Sequence, residues 1–212
     1  MGPGGTAQRP DDEGATASRP LLPVTQRERL IDGMARTVAA RGYAATSVAD
    51  VLREAGVSRR TFYERFSDKE DCFLAAYDVI VGLALERVRA ACAEAPESGA
   101  RLERGIGALL RLLADEPAFA RLGVVEVLAA GPRGLARRDE TLRQFAGFVQ
   151  AHRDELDDPT PPSDLVAQAI VGGIYELLYS HILRGETDRL PDLTGEMLHY
   201  TFMLLGMPNR SV

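Results

Sequence analysis

The stretch that most constrains this chain is Thr46 to Lys69, TSVADVLREAGVSRRTFYERFSDK, which holds two helix starts and a glycine turn within two dozen residues. Ser47 and Asp50 form a Ser-x-x-Asp start signal, after which Val48, Val51, Leu52 and Ala55 follow helical spacing and give a first helix one buried face. Gly56 suits the left-handed backbone that leaves a helix, Val57 plugs the angle between two helices, and Ser58 caps the second through its hydroxyl. In that second helix Phe62 and Phe66 stand four residues apart and share a face, so Arg59, Arg60, Thr61 and Tyr63 point mostly elsewhere. Two short helices set at an angle across a glycine turn are the helix-turn-helix, which lays its second helix in the major groove with its N-terminal residues toward the bases. Here those residues are Ser58, Arg59, Arg60 and Thr61. Arginine presents a rigid fork matched to guanine O6 and N7 or to phosphate, and a helix N-terminus favours a phosphate oxygen.

The flanks extend the pattern. Ser67 with Glu70 reads as a further capping box, which puts Lys69, the chain's one lysine, in the positively polarised first turn of the next helix. Upstream, Thr25 and Glu28 open a helix with Leu30, Met34 and Val38 at every fourth position, and Gly42 closes it. Gly42-Tyr43, Thr46-Ser47-Val48, Ala55-Gly56-Val57-Ser58, Thr61-Phe62-Tyr63, Phe66 and Lys69-Glu70 together resemble, in register, the TetR family of one-component transcriptional regulators, over about Gln26 to Tyr77. That resemblance implies DNA contacts by Thr46 or Ser47, by Ser58, Arg59, Arg60, Thr61 and Tyr63, and by Lys69. Arg60 departs from the family's pattern, where glycine is frequent; it is able to add a base or phosphate contact or to fold back toward Glu64, its i+4 neighbour.

The net charge of -6 does not oppose this, because the charge is uneven. From Thr25 to Glu70 nine basic residues face seven acidic ones, whereas from Asp71 onward fourteen face twenty-one. The acidic remainder is repelled from the duplex and favours one orientation on it. Residues 1 to 24 combine glycines, prolines and Asp11-Asp12-Glu13 without a hydrophobic core and read as a disordered tail, not a secretory signal. No uninterrupted apolar run of about 18 residues suggests a bilayer span. Cys72 and Cys92 fall on one expected helix, roughly 30 Å apart at 20 residues, too far to bridge, and without CxxC spacing they indicate a reducing cytoplasm.

The rest of the chain is expected to be helical, giving an all-α fold of three parts: the tail (1–24), the helix-turn-helix head (25–70) and a C-terminal regulatory and dimerisation domain (71–212). Phe73, Ala76, Tyr77, Ile80, Ala84 and Val88 continue from Lys69 as a long helix joining the two domains. Ala95 to Ala100 reads as a loop and Leu102 to Leu113 as an apolar stripe; Pro117 suits a first helical position, and Ala118 to Ala130 reads as a helix that ends at Gly131-Pro132. Leu135 to Leu156 comes next, then a break at Asp157 to Ser163. Leu165 to Leu183 and Leu193 to Leu205 carry more apolar surface than one subunit covers, so they read as a dimer interface, with Phe202 a representative position. By the family resemblance these last two helices form a four-helix bundle with the partner subunit.

Phe119, Leu122, Val125, Glu126, Phe145, Phe148, His152, Tyr175, Glu176 and Tyr179 combine aromatic bulk with a few polar groups and are the candidate lining of a ligand cavity, core packing being the alternative for each. Glu126 and Glu176 stand amid apolar neighbours, where a carboxylate needs a partner, a proton or exposure. His152, His181 and His199 share no metal-ligand spacing, and no metal, cofactor or catalytic constellation is expected. The expectation is a homodimeric repressor that binds an inverted-repeat DNA operator and is released by a small hydrophobic effector. The alternatives are an architectural helix-turn-helix protein without effector, and an all-α carrier or enzyme with an appended head.

Overall fold

Residues 25–153 and 164–206 are described by a computed structural model; the expected tail and the Asp157–Ser163 break lie outside them, as does the side chain of His152. Helix α1 (Gln26–Arg41) opens at the expected capping box, with the Glu28 N–H donating to Thr25 Oγ1 (3.3 Å) and the Thr25 N–H donating to Glu28 (2.9 Å). The same reciprocal device, from Ser47 and Asp50, starts α2 (Val48–Ala55). Gly56 then takes the left-handed backbone (φ 62°), and Arg29 reaches from α1 to donate to the Ala55 and Gly56 carbonyls at 2.6–3.0 Å, fixing the turn. Helix α3 (Arg59–Tyr63) is capped by Ser58, which accepts the Thr61 N–H at 3.1 Å. Phe66 falls just beyond its end, yet Phe62 and Phe66 both enter the core.

Helix α4 (Lys69–Ala93) runs 25 residues from the head into the second half. Its cap is Asp68, which accepts the Asp71 N–H at 2.8 Å, so the Ser67–Glu70 box read from sequence is displaced by one residue; Ser67 instead donates its N–H to the Asp71 carboxylate at 3.0 Å. Helix α5 (Ser98–Asp115) packs along α4. The expected single helix Ala118–Ala130 is three pieces: α6 (Pro117–Ala120), a π turn (Arg121–Val125) and a 3₁₀ turn (Glu126–Ala129). Gly123 lies in the wide turn, where an added Cβ would sit 3.3 Å from Ile80 of α4. Gly131-Pro132 begins α7 (Gly131–Arg153) instead of ending its predecessor, because a proline in the first turn lacks only an N–H that has no helical partner there.

Helix α8 (Asp164–Leu183), a 3₁₀ segment (Thr187–Leu193) and α9 (Thr194–Leu205) complete the chain, and no strand occurs among the described residues. By length and composition α8 is apolar enough to cross a membrane, although no uninterrupted apolar run marks it in the sequence. Ala167, Ile170, Val171, Leu178 and Ile182 of α8 face the protein's own core, while Leu165, Leu177 and Leu183 remain exposed, as do Met203 and Leu204 of α9. Phe202 is not part of that outer face: it is 7% exposed, within a cluster formed with Leu102, Val149, Ala167 and Ile170.

The largest apolar cluster ignores the expected boundary at residue 70. It joins Leu30, Met34 and Val38 of α1, Val51 of α2 and Phe62 of α3 to Phe73, Tyr77 and Ile80 of α4, and continues to Phe119, Leu122, Val127 and Ala130. The head is thereby seated on α4 and on the broken segment.

Candidate nucleic-acid interface and effector cavity

On the outer side of α3, Arg59 is exposed and has no hydrogen bond or ion pair among the described residues, whereas Arg60 folds back so that its Nε donates to Glu64 at 2.9 Å. Tyr63 is 53% exposed, its ring edge-on to Phe62 at 5.3 Å, which aims the phenol outward beside the arginines. The Ser58 and Thr61 hydroxyls lie 2.9 Å apart at the helix start. Ser47 is exposed at the start of α2, and Asp50 beside it is held down to a pKa of about 2, by the Ser47 hydroxyl and N–H first and then by Arg53 and Arg41. Ser47, Ser58, Arg59, Arg60 and Tyr63 of the helix-turn-helix are exposed, and Thr61 is half-buried.

Two other expected contacts are placed differently. Thr46 is buried, its hydroxyl donating to the Gly42 carbonyl at 2.8 Å, so its side chain is withdrawn from any duplex and only Ser47 of that pair remains. Lys69 is half-buried and donates to the Tyr43 and Thr46 carbonyls at 2.9 and 3.0 Å. A lysine has three donors, so one remains for a phosphate.

Between α4, α5, α7 and α8 lies a cavity of about 1080 Å³ of space between atoms, counting its open mouth, with walls that are almost wholly carbon. Of the expected lining, Phe119, Phe145, Phe148 and Tyr175 are in place. Leu122 belongs to the core under the head, while Val125 and Tyr179 pack in the cluster around Leu190 and Met197. Glu176 points to solvent. Glu126 is buried but turned away from the cavity, toward the Tyr43 N–H at 2.9 Å and Arg121 at 3.2 Å. The π turn explains part of this, since one extra residue per turn rotates every side chain after it away from the register of a continuous helix.

The polar groups that do reach the cavity escape the sequence reading. Arg138 lines it with its guanidinium carbon 4.2 Å over the Tyr175 ring, and its buried Nε has no hydrogen-bond partner among the described residues. Its Nη1 pairs with the neighbouring Asp139 at 3.1 Å. The Tyr77 hydroxyl donates to Thr141 Oγ1 at 2.9 Å, and burial pushes the phenol up to a pKa of about 12, so it stays neutral. A usable signal is present: Arg138, Leu142, Phe145 and Val149 recur at helical spacing, which places the arginine on the face of α7 that carries Phe145. No group of three or more His, Cys, Asp or Glu poised for a metal occurs among the described residues. Both cysteines are buried and free, and burial raises the Cys72 thiol to a pKa of about 12.

Residues 30–76 match the family model described as bacterial regulatory proteins, tetR family. The chain is 31% identical over 64 residues to the uncharacterized HTH-type transcriptional regulator YerO of Bacillus subtilis, a match that takes in 30% of this chain but only 22% of that relative's length. The fold is similar to that of the fatty acid degradation regulator FadR from Bacillus halodurans, with a TM-score of 0.77 and 19% identity over 90% of this chain and 100% of that one. It is also similar to FadR from Bacillus subtilis, solved in complex with stearoyl-CoA, with a TM-score of 0.72 and 21% identity over 82% of this chain and 96% of that one. With the helix-turn-helix inside the matched residues, the head of this chain is the part that the tetR family model describes, and the all-helical body shares the architecture of these solved structures.

Proposed function

We propose that this protein is a homodimeric transcriptional repressor whose grip on an inverted-repeat operator is released by an elongated apolar compound with an anionic end. Ser47, Ser58, Arg59, Arg60, Thr61, Tyr63 and the free donor of Lys69 form the DNA-contacting set, with Arg59 the foremost base reader because its guanidinium is unengaged among the described residues. The exposed Leu165, Leu177, Leu183, Met203 and Leu204 form the apolar side that a partner subunit covers, and a second copy sets the reading heads about 34–36 Å apart, one helical turn of DNA.

The observation that carries the effector reading is Arg138: a cation with an unpartnered buried Nε, set in a carbon-walled cavity. A carboxylate, thioester oxygen or phosphate answers that donor, and an alkyl chain suits the walls. The likeness to a FadR solved with stearoyl-CoA supports the same class. The test is a thermal-shift series of saturated acyl-CoAs from about eight to eighteen carbons, with titration of an operator selected from random duplexes. The expected result is chain-length-dependent stabilisation and operator affinity lowered roughly 5- to 150-fold, the usual range for coupled sites. Acyl-CoAs that bind without altering operator affinity would abolish the proposed release mechanism and leave DNA binding standing.

A further inference from the structure

We infer that Glu126 is a positioning residue that ties the wall of the cavity to the reading head, through the π turn that it directly succeeds; as a route for effector action this rests on the function proposed above. On the head side, Glu126 is 8% exposed and accepts the Tyr43 N–H at 2.9 Å, across 83 residues of sequence. Its carboxylate fits against Gly42, whose backbone turns at φ 77° and where an added Cβ would lie 3.4 Å from Oε2. Arg121 completes the carboxylate's surroundings at 3.2 Å. A buried carboxylate with these partners is costly to leave unpaired, so the bond is held as long as the turn keeps its shape.

On the cavity side, Gly123 and Val124 of the same π turn form wall, and Tyr175 donates its hydroxyl to the Val124 carbonyl at 2.6 Å. The Tyr175 ring carries Arg138 on its face, so the cationic anchor proposed for an anionic ligand end, the phenol and the π turn are in consecutive contact. A π turn holds one residue more than an α turn, and conversion to α rotates the downstream residues by about 100° and shifts them by about 1.5 Å. Conversion of this π turn to α would therefore displace Glu126 from Tyr43. Tyr43 passes that displacement on, because its carbonyl and that of Thr46 hold Lys69, and the Gly42 carbonyl holds Thr46, at the entry to α2.

The test needs no effector. In the full-length chain, Tyr175→Phe removes the hydroxyl bond to Val124 while keeping the ring. Hydrogen exchange at the Tyr43 amide, in the head, is expected to quicken about tenfold or more, while the Val51 amide inside α2 changes less than about twofold. Unaltered exchange at Tyr43 would overturn the inference. For operator binding, Glu126→Ala is expected to lower affinity about fivefold or more, and Glu126→Gln, which keeps an acceptor for the Tyr43 N–H, to restore most of it; equal affinity in the Ala variant also overturns it. Stearoyl-CoA added to the wild-type protein reads the other question. If it leaves operator affinity unchanged the acyl-effector reading fails, and the exchange and variant results decide the role of Glu126 by themselves.

Discussion

The Lys69 ammonium lies 4.1 Å over the centroid of the Tyr43 ring while donating to the Tyr43 carbonyl at 2.9 Å, so one side chain grips both the face and the backbone of the other. The ring also meets Phe73 edge-on at 4.8 Å. Lys69 thus closes the turn between α1 and α2 from the start of α4. Replacing it with Ala removes two charge-assisted hydrogen bonds and a cation–π contact at a half-buried site, and is expected to cost about 1.5–3 kcal/mol of stability. Urea unfolding measures that loss. The salt slope of operator binding, expected to fall by about one per subunit, separately reports the phosphate contact.

Arg59 and Arg60 are neighbours with different engagements. Arg59→Ala is expected to weaken the selected operator by about 1–3 kcal/mol and to relax specificity at one base position. Arg60→Ala acts less, because its guanidinium leaves Glu64 to reach DNA, and Glu64→Gln is expected to bring the Arg60 contribution up. Competition titrations against single-base operator variants distinguish the two residues.

Asp50 links pH to the helix-turn-helix. Its carboxyl is lowered from 3.8 to about 2, the Ser47 hydroxyl and amide being the main cause. A depressed carboxyl adds stability that is complete above the unfolded value and lost as pH falls through the folded one, so the start of α2 is expected to hold at about pH 4 and to loosen between about pH 3.8 and 2. An NMR titration of the Asp50 carboxyl with the Ser47 and Asp50 amides checks this. A midpoint near the ordinary carboxylate value would remove the capping box as the cause.

For the cavity, Arg138→Met keeps volume and removes charge. Since one buried donor is already unpartnered, the change is expected to leave the melting temperature unchanged or higher. Affinity for a long-chain acyl-CoA is expected to fall roughly 10- to 150-fold, in line with about 1.5–3 kcal/mol for a hydrogen bond to a charged group. Calorimetric titration of the variant with stearoyl-CoA gives the number directly.

The outer face of α8 and α9 is tested by two adjacent residues. Met203→Asp, at a position 62% exposed, is expected to give a folded monomer, while Phe202→Asp, at a position 7% exposed, is expected to unfold the C-terminal half. Sedimentation with circular dichroism separates the outcomes, and a dimeric Met203→Asp protein would move the interface elsewhere.

The head is legible in the sequence because each of its devices is local. Thr25 with Glu28, Ser47 with Asp50, Gly56 and Ser58 announce helix boundaries within a few residues, and Phe62 and Phe66 mark a buried face by spacing alone. The cavity is partly legible: Phe145 and Tyr175 stand out by their bulk, but Arg138 does not, because a charged residue on an amphipathic helix ordinarily faces water. Glu126 attracts notice for the right reason, a carboxylate among apolar residues, but it turns away from the cavity to Arg121 and a more distant partner. That partner is a backbone N–H 83 residues away, which no local pattern reports. Phe202 misleads similarly, since a helix with apolar residues on more than one side does not say which of them meets its own subunit.

The apolar cluster that runs from Leu30 to Ala130 bears on how such a reader is exchanged between proteins. A cut at residue 70 strips Phe73, Tyr77 and Ile80, together with Phe119, Leu122 and Val127, from beneath Leu30, Met34 and Val38. A chimera that grafts residues 25–70 alone onto a foreign sensing body therefore inherits the lettering of the recognition helix without the floor it stands on. The transferable unit is discontinuous: the first three helices, the N-terminal half of α4, and the segment from Phe119 to Ala130 that arrives from the far side of α5.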